Sequence, residues 1–447
     1  MTDVVLIYPY FQSHNDKSMF RFPPLGIGYI ASYLSRHGVD VKIIDCTFQS
    51  ESNVIDQIKL LNPKIIGIQC ILSTEKNAIR LARILKKTDN LLIAGGHYPS
   101  IDPSLFLNDF DLAVLGEGEQ TVLEIAQNSR DYKDISGIAY KSGDQVVYTK
   151  PRKVVEYLDS LPFPARDLFP NNVYQTRWRN RFGYSMTSLI ATRGCPFNCD
   201  YCSRAVSSNK YRERSKENVV DEIEQILSYG YDRIWIADDV FTLHKDYVMG
   251  ICDEIIRRDL KCQWECLSRA DTFDTELALQ MRESGCVRVF FGIESGSNDI
   301  LHKMKKHLTV EQAASAVDVA KKAGLDTGAF FILGYPGEND DTVLQTIKFS
   351  NSLPLDYASY AFPYPFPGTG LYEKVKDRLL PKYWNLPSHG LMKHKLVFKS
   401  EFTEAKLKFA LFKGNTLFKL RKHCGKYGFI PYGFFDKVTN LIFRLMK

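Results

Sequence analysis

Several features are absent from the 447-residue sequence. It has no run of about 18 apolar residues, which argues against a membrane-spanning helix. Its first residues, MTDVVLIYPYF, lack the basic start and cleavage site of a secretory signal. It has no internal repeat and no low-complexity tract. We therefore expect a cytoplasmic globular protein whose ten cysteines are thiols or metal ligands rather than disulfides.

Net charge is nearly absent over most of the chain. The net charge is +6, yet residues 401–447 alone hold ten Lys/Arg against three Asp/Glu, so the remainder is nearly neutral. This basic tail alternates cations with large apolar residues. It suits a helical cap with lysines on its outer face, and it also suits peripheral contact with an anionic membrane or an acidic substrate. No recognised nucleic-acid module accompanies it, so we expect no nucleic-acid partner.

The first 130 residues alternate short apolar runs with helical patterns, beginning with DVVLIYPY, LGIGYIASYLSRHG and VDVKIIDC. This order predicts an α/β fold with a parallel, Rossmann-like sheet and helices on both faces. Ligands of such sheets lie at the carboxyl ends of strands, where the strand order reverses. The motif GxGxxG is missing, so dinucleotide binding has little support. ISGIAYKSGDQVVYTK then predicts a hairpin, and LPFPARDLFP an extended linker.

From about residue 185 a second alternation begins. Six β/α units in series predict a full or partial barrel whose active face lies at the strand C-termini. The strands we expect are SLIATRG, RIWIADD, CQWECLSRA, VRVFFGIES, DTGAFFILGYPG and YASYAFPYPF. The predicted organisation is a first domain at 1–150, a linker at 151–184, a barrel at 185–380 and a mostly helical basic segment at 381–447.

Three cysteines, Cys195, Cys199 and Cys202, lie within eight residues in TRGCPFNCDYCSR, and no fourth cysteine follows at ligand spacing. Thiolates suit iron–sulfur clusters and zinc. Because a structural zinc site needs four ligands, the triplet fits either a [4Fe–4S] cluster with one open iron or a zinc site completed by a distant histidine. Three buried core cysteines are a poor fit to a loop that contains Gly, Pro, Asn and Asp.

CPFNCDYC fits CxxxCxΦC, with Tyr201 as the aromatic residue, and closely resembles the signature of the radical S-adenosylmethionine (radical SAM) enzymes. The resemblance implies that the three cysteines hold a [4Fe–4S] cluster whose open iron is chelated by S-adenosylmethionine. One electron from the cluster then cleaves the C5′–S bond and yields a 5′-deoxyadenosyl radical. The implied partners are a small-molecule substrate and a one-electron donor such as flavodoxin or ferredoxin.

Further residues match the S-adenosylmethionine contacts of the superfamily at successive strand ends. The methionyl ammonium is matched by Asp238 or Asp239 in WIADDVF, with Asp239 preferred, and the methionyl carboxylate by Arg269 in SRAD. The ribose is matched by Glu294 and Ser295 in GIESG. The adenine is matched by Ile332 and Gly334 in GAFFILGYPGE, and Tyr201 flanks its ring. A guanidinium fork suits a carboxylate. Taken singly, the aspartates equally suit a helix N-cap and Arg269–Asp271 a solvated ion pair.

The first domain resembles the cobalamin-binding domain of many radical SAM enzymes, through PPLGIGYIASYLSRHGVDVKIID, GGHYPS and GEGE. That subgroup includes methyltransferases and the oxygen-independent cyclase of bacteriochlorophyll synthesis. Glycines at strand exits let backbone approach a planar corrin. The implied cobalamin contacts are Pro24, Leu25, Gly26, Gly95, Gly96, His97, Tyr98, Glu117 and Glu119. For His97 itself, a cap or hydrogen bond within its loop is favoured over a role at cobalt.

No histidine has an aspartate two residues before it, so the Asp-x-His-x-x-Gly cobalt ligand of methionine-synthase-type domains is not expected. The other seven cysteines are expected in the core, although a catalytic thiol at Cys266 or Cys286 is an alternative. The resemblance implies an enzyme that uses cobalamin to methylate an unactivated carbon or a phosphinate. The alternatives are a cobalamin-dependent cyclase, oxidase or ring-rearranging enzyme, a non-catalytic sensor, and a relative that keeps the fold without the cofactor.

Overall fold

Two parallel sheets organise the chain, and each is flanked by helices. The computed structural model describes residues 2–12, 21–86, 89–128, 132–202, 209–380, 394–424 and 430–446. Within these residues, no helix combines the length and apolar character that a membrane span requires.

The first sheet has seven described strands in the order β2-β1-β3-β4-β5-β6-β7. Strands β1 to β5 are parallel, and β6 and β7 add the predicted antiparallel hairpin. The strands are β1 Val4–Tyr8, β2 Val41–Asp45, β3 Ile65–Gln69, β4 Leu91–Gly95, β5 Leu112–Val114, β6 Ile138–Ser142 and β7 Gln145–Tyr148. The order 2-1-3-4-5 is the doubly wound type whose strand order reverses between β1 and β3.

Five helices cover this sheet on both faces, which explains why its central strands are apolar throughout. They are α1 Leu25–Arg36, α2 Glu51–Leu61, α3 Glu75–Leu85, α4 His97–Ile101 and α5 Glu119–Gln127. Helices α1 and α5 pack on one face, and α2 and α3 pack on the other. The predicted α/β fold of this half is confirmed.

The predicted linker is only partly extended. Short 3₁₀ turns at Leu158–Ser160 and Arg166–Leu168 lead into helix α6, Asn171–Phe182, which the sequence analysis missed. Arginine or asparagine fills all three positions before Phe182, and only Tyr174 and Trp178 are buried. Two buried side chains four residues apart give too short an apolar stripe to stand out as a helical period.

The second sheet has six described strands, all parallel, in the order β8-β11-β12-β13-β14-β15. They are β8 Met186–Leu189, β11 Arg233–Ile236, β12 Gln263–Ser268, β13 Cys286–Glu294, β14 Asp326–Ile332 and β15 Tyr357–Ala361. A ribbon of β9 Thr192–Arg193 and β10 Arg212–Glu213 encloses the cysteine loop. Strands β8 and β15 stand at opposite edges, so the predicted partial barrel is confirmed.

In the described residues, strands β8 to β14 are followed by α7 Lys216–Ser228, α8 Lys245–Arg257, α9 Thr275–Glu283, α10 Asn298–Lys303, α11 Val310–Lys322 and α12 Asp340–Ser352. Alternate strand residues such as Val289, Phe291 and Ile293 pack beneath these helices. The other set, which includes Arg288 and Phe290, points away from them. The inner face of the barrel therefore carries charged and aromatic side chains, as strand alternation requires.

The C-terminal part is helical, as expected, with α13 Gly370–Val375, α14 Glu404–Cys424 and α15 Ile430–Leu445. The expectation that its lysines face outward is wrong for two of them. Lys406 and Lys413 are buried, because the ammonium of Lys406 reaches Asp340 on α12 and that of Lys413 reaches Asp436 and Thr439 on α15. Residues 381–393, which open the predicted segment, lie outside the described residues. The exact domain boundaries stay a prediction.

Candidate functional site

A cavity of about 340 Å³ lies where the carboxyl ends of the two sheets meet. Leu6, Gln69 and Gly95 line it from strands β1, β3 and β4, so it opens at the point where the strand order of the first sheet reverses. Its opposite wall is formed by barrel residues Ile190, Thr192, Arg193, Ala237 and Asp239. The cavity is therefore shared between the two domains.

Glycines form much of the wall on the first domain. Gly96 has a φ of 111°, and a Cβ there would lie 3.1 Å from the carbonyl oxygen of Cys70, so its own fold requires glycine. Gly95 differs, because its φ is not positive and no atom lies within 4 Å of a Cβ position. Packing within the protein does not explain a glycine at 95. The open space fits a ligand that approaches the backbone closely.

Two buried polar atoms in this wall have no hydrogen-bond partner in the described chain, Oε1 of Gln69 and Oε2 of Glu119. An unpaired buried polar atom costs about 1–3 kcal/mol, so it is normally satisfied by a ligand or water. Gln69 was missed by the sequence analysis. Its position as the last residue of β3, beside the reversal of strand order, is the signal that could have found it.

Glu117 and Glu119 line the cavity, but their carboxylates also tie the two domains together. Arg212 donates to Glu117 at 2.8 Å, and Arg193 donates to Glu119 at 2.7 Å. Although burial opposes it, the ion pairs with Arg212 and Arg193 lower the pKa of Glu117. The predicted cobalamin contacts thus have a structural role as well, joining the GEGE loop to the strands that flank the cysteine loop.

Six of the nine predicted cobalamin contacts line the cavity: Gly26, Gly95, Gly96, His97, Glu117 and Glu119. Pro24 and Leu25 precede or begin α1 and lie outside the lining. Tyr98 also lies outside it and packs in the core against Phe106. Burial lowers the pKa of His97, and the negative charge of nearby Asp239 opposes this shift without cancelling it. The imidazole is therefore neutral near pH 7.

The two adjacent aspartates at the end of β11 have opposite surroundings. Asp239 lines the cavity. Asp238 is buried and accepts hydrogen bonds from the amide of Ala191 and the hydroxyl of Thr192, each at 2.8 Å. Burial raises the pKa of Asp238 to about 7. Asp239 is therefore placed for a ligand, whereas Asp238 holds the strand that leads into the cysteine loop.

The cysteine loop is anchored by Asp200, which the sequence analysis did not single out. Its buried carboxylate accepts hydrogen bonds from the hydroxyl of Tyr335 and from Nζ of Lys374, and its carbonyl oxygen accepts from the amide of Leu371 at 2.8 Å. Around this anchor, Cys195 and Cys199 are half-buried and Cys202 is exposed. In the described part of the chain, no three His, Cys, Asp or Glu side chains converge on one metal-ion position.

Arg269 is buried and packs on the cysteine loop. Its guanidinium lies 3.6 Å from the centre of the Phe197 ring and donates to the carboxylate of Asp271 at 2.8 Å and to the carbonyl oxygen of Lys306 at 2.8 Å. The pair with Asp271 is therefore not a solvated one. Arg269 supports the loop beneath Phe197, and its predicted contact with a carboxylate stays a prediction.

Glu294, Lys306 and Tyr201 form a buried polar group at the end of β13. Nζ of Lys306 lies 3.4 Å from Oε1 of Glu294 and 3.4 Å from the hydroxyl of Tyr201. Glu294 has a φ of 73°, a conformation that is uncommon outside glycine and often marks functional sites. Burial raises the pKa of Tyr201 well above its ordinary range. Lys306 was missed because a lysine in a loop carries no pattern.

The remaining predicted contacts are placed less favourably. Ser295 is buried with its hydroxyl against Thr346 of α12, at 3.2 Å. Ile332 is half-buried at the end of β14. Gly334 has a φ of 89°, and a Cβ there would lie 2.5 Å from Leu407 of α14, so packing accounts for this glycine.

Six of the other seven cysteines are in the hydrophobic cores, as expected: Cys46, Cys70, Cys252, Cys262, Cys266 and Cys286. Cys266 and Cys286 are fully buried, on the face of the sheet that packs under the helices. This placement offers no access for a catalytic thiol. The side chain of Cys424 lies outside the described residues.

Comparison with known proteins identifies both halves. Residues 189–350 match the Radical SAM superfamily, and residues 15–126 match the B12 binding domain. A protein of Pyrococcus horikoshii that is named an uncharacterised methyltransferase is 37% identical over 81% of this chain and 81% of its own length. The chain belongs to the cobalamin-binding radical SAM enzymes.

Other members of this family share its whole two-domain arrangement. The anaerobic magnesium-protoporphyrin IX monomethyl ester cyclase of Rubrivivax gelatinosus is 29% identical over 84% of this chain and 70% of its own. The solved structure of OxsB, a cobalamin-dependent radical SAM enzyme with aqua-cobalamin and S-adenosylmethionine bound, matches with a TM-score of 0.80 and 17% identity. That match covers 98% of this chain and 72% of OxsB, and it shows that the fold is shared.

The family's cofactors are a [4Fe–4S] cluster, S-adenosylmethionine and cobalamin, and the site fits them. The space beside Gly95 and the unpaired oxygens of Gln69 and Glu119 suit a large ligand with hydrogen-bond donors on the first domain. The soft thiols of the cysteine triplet lie in a loop that is held from its far side by Asp200. Ligation of the cluster by these three thiols stays a prediction.

Proposed function

We propose that this chain is a cobalamin-dependent radical SAM methyltransferase that methylates an unactivated carbon or a phosphinate of a small molecule. The observation that carries the proposal is the shared cavity. One wall consists of the glycine-rich strand ends of the B12 binding domain, and the other includes Thr192, Arg193 and Asp239 of the barrel. The cysteine loop begins two residues after Arg193. Bound cofactors would therefore share one enclosed space.

When bound, the cluster and cobalamin supply the one-electron and methyl-transfer chemistry. The chain binds and orients them. Cys195, Cys199 and Cys202 would ligate the cluster, Asp239 would accept from the methionyl ammonium, and Glu294 would accept from the ribose hydroxyls. Lys306 lies against Glu294 and keeps a compensating positive charge beside this carboxylate while water is excluded.

The test is anaerobic reconstitution with iron, sulfide, hydroxocobalamin, S-adenosylmethionine and a chemical reductant, followed by chromatography for 5′-deoxyadenosine. We expect the parent protein to form it and Cys199→Ala to form none. Cys262→Ala is the matched control, because this thiol lies in the core away from the loop and its variant keeps the activity. Absence of 5′-deoxyadenosine from a fully loaded parent would disprove the proposal and would favour the sensor hypothesis.

A second candidate is a cyclisation or oxidation without methyl transfer. It is favoured by the similarity to the Rubrivivax gelatinosus cyclase over most of both chains. The two reactions differ in their products, since methyl transfer from S-adenosylmethionine releases S-adenosylhomocysteine. Formation of S-adenosylhomocysteine in step with product supports methyl transfer, and 5′-deoxyadenosine without it supports the second candidate.

The proposed reaction also needs an electron source. We propose a one-electron donor such as flavodoxin or ferredoxin, in a reducing cytoplasm that keeps thiols available. Replacement of the chemical reductant by reduced flavodoxin should sustain 5′-deoxyadenosine formation.

A further inference from the structure

The outer face of helix α15 carries a stripe of exposed apolar side chains that no part of the described chain covers. Phe434 is 72% exposed and Leu445 is 73% exposed, and the stripe is completed by Val438, Leu441 and Ile442. These positions recur every three or four residues, so they share one side of the helix. Phe412 of α14, also exposed, extends the stripe through its ring contact with Phe435.

This stripe is not the core-facing side of the helix. Helix α15 buries Phe443 and Thr439 against the rest of the protein, and α14 buries Leu407, Ala410, Leu411 and Leu417. Both helices thus pack on the barrel through these buried residues and not through the stripe. Monomeric proteins seldom leave apolar side chains contiguous on a surface unless the surface binds something.

The charge around the stripe indicates what it binds. Lys437 and Arg444 lie along one flank of it, and Lys408 lies on the exposed side of α14 beside Phe412. Two of these cations form ion pairs, Arg444 with Asp341 and Lys408 with Glu404. Lys437 is exposed and has no ion pair within the part of the chain that the structure describes. The face is apolar in its centre and carries exposed cations along its margin.

We propose that this outer face of α14 and α15 docks onto an anionic lipid surface. An amphipathic helix with a basic flank binds in this way, with its apolar side chains inserted among the acyl chains and its cations at the headgroups. A second copy of the chain would fit the apolar stripe but would bring two positively charged rims together, which is unfavourable. The proposal concerns binding only and does not depend on the reaction proposed above.

The test is co-sedimentation of the purified full-length protein with vesicles. One set consists of phosphatidylcholine alone and the other contains about 30% phosphatidylglycerol. We expect binding to the anionic vesicles, weaker binding to the neutral ones, and loss of the difference at high salt. In Leu441→Glu/Leu445→Glu the affinity for anionic vesicles should fall by at least about tenfold, because two inserted side chains become charged.

Leu60→Glu is the matched control, since Leu60 is 86% exposed on α2 of the first domain. It should bind as the parent does. Lys437→Gln should weaken binding to the anionic vesicles only. The proposal is overturned if the parent binds neither vesicle, if it binds both equally, or if the double variant binds as the parent does. A parent dimer in sedimentation velocity that Leu441→Glu dissociates would assign the face to a second copy and also overturn it.

Discussion

At the scale of single residues, three carboxylates near the cysteine loop have different roles that their surroundings decide. Asp239 faces the shared cavity, Asp238 is enclosed by the backbone of Ala191 and the side chain of Thr192, and Asp200 is enclosed by Tyr335 and Lys374. Only one of the three is placed for a ligand. The other two hold the loop in position from its two ends, which is how a short irregular segment gains a fixed shape.

Loss of the Asp200 anchor should loosen the cysteine loop. In Asp200→Ala, Tyr335 and Lys374 lose their shared acceptor, so we expect the reconstituted variant to lose iron about tenfold faster than the parent. Asp200→Asn should be intermediate, because its amide oxygen can still accept from Tyr335. Iron per chain after gel filtration and the cluster's electron paramagnetic resonance spectrum measure this.

The control for this prediction is Asp318→Asn, an exposed carboxylate on α11. It should retain iron as the parent does. Equal retention by Asp200→Ala would show that the loop needs no anchor from Tyr335 and Lys374.

Asp238 should make the stability of the protein depend on pH. Burial raises its pKa to about 7, so the folded state binds this proton more tightly than the unfolded state. The stabilisation is therefore fully present below about pH 4 and is lost as the pH rises through about 7. Relative to Asp238→Asn, we expect the Tm of the parent to fall between about pH 4 and pH 7 and to level off above about pH 7. Circular dichroism melts measure the difference, and a difference that is independent of pH would contradict the prediction.

At the scale of elements, most of the parallel strands were predictable from the sequence, whereas the partners of individual side chains were not. The five parallel strands described in the first sheet coincide with predicted apolar runs, because buried strands need such runs, whereas β8 Met186–Leu189 overlaps the predicted SLIATRG only at Ser188 and Leu189. The turn that ends β11 was found because two aspartates are visible in the sequence. The roles of Lys306, Asp200 and Gln69 depend on contacts between segments that are distant in the sequence. A local sequence pattern does not reveal such contacts.

The same limit explains the errors in the C-terminal part. Lys406 and Lys413 look like solvated lysines in the sequence. In the fold, however, their ammonium groups form buried ion pairs with the carboxylates of Asp340 and Asp436. Helix α6 escaped notice because its polar surface hides a short buried stripe. A buried charge can be expected only when its partner is known, and the partner lies in another element.

Helix α7 is joined to the segment before the barrel by a buried ionic group. Glu222 accepts hydrogen bonds from Arg166 and Arg214, and all three side chains are almost completely buried. In Glu222→Gln the two guanidinium groups remain without their counter-charge, so we expect a loss of about 3–5 kcal/mol in the free energy of unfolding. Urea unfolding of the apoprotein measures it.

Glu224→Gln on the same helix is the control, because Glu224 is half-exposed and its ion pair with Arg258 is screened by solvent. Its effect should stay within about 0.5 kcal/mol. An equally small effect for Glu222→Gln would mean that the buried group adds no net stability to the joint.

At the scale of the whole molecule, the two domains are fixed to each other around the cavity that they share. Arg212 and Arg193 of the ribbon beside the cysteine loop bind Glu117 and Glu119 of the first domain. The loop that lines the cobalamin side is thereby fixed to the strand that leads to Cys195. In the function proposed above, this connection would hold the two cofactors at a constant separation, which a reaction that uses both requires.

From the shared cavity we predict a substitution that weakens cobalamin binding and leaves the fold intact. Gly95 tolerates a side chain, since its φ is not positive and the space around its Cβ position is open, and this space belongs to the cavity. Gly95→Leu should therefore fold as the parent does and bind hydroxocobalamin at least about tenfold more weakly, because the side chain takes the volume that the ligand needs. Gly433→Leu, at an equally open glycine on α15, should bind as the parent does. Absorbance of the bound cobalamin after desalting measures both, and full retention by Gly95→Leu would move the cofactor away from the end of β4.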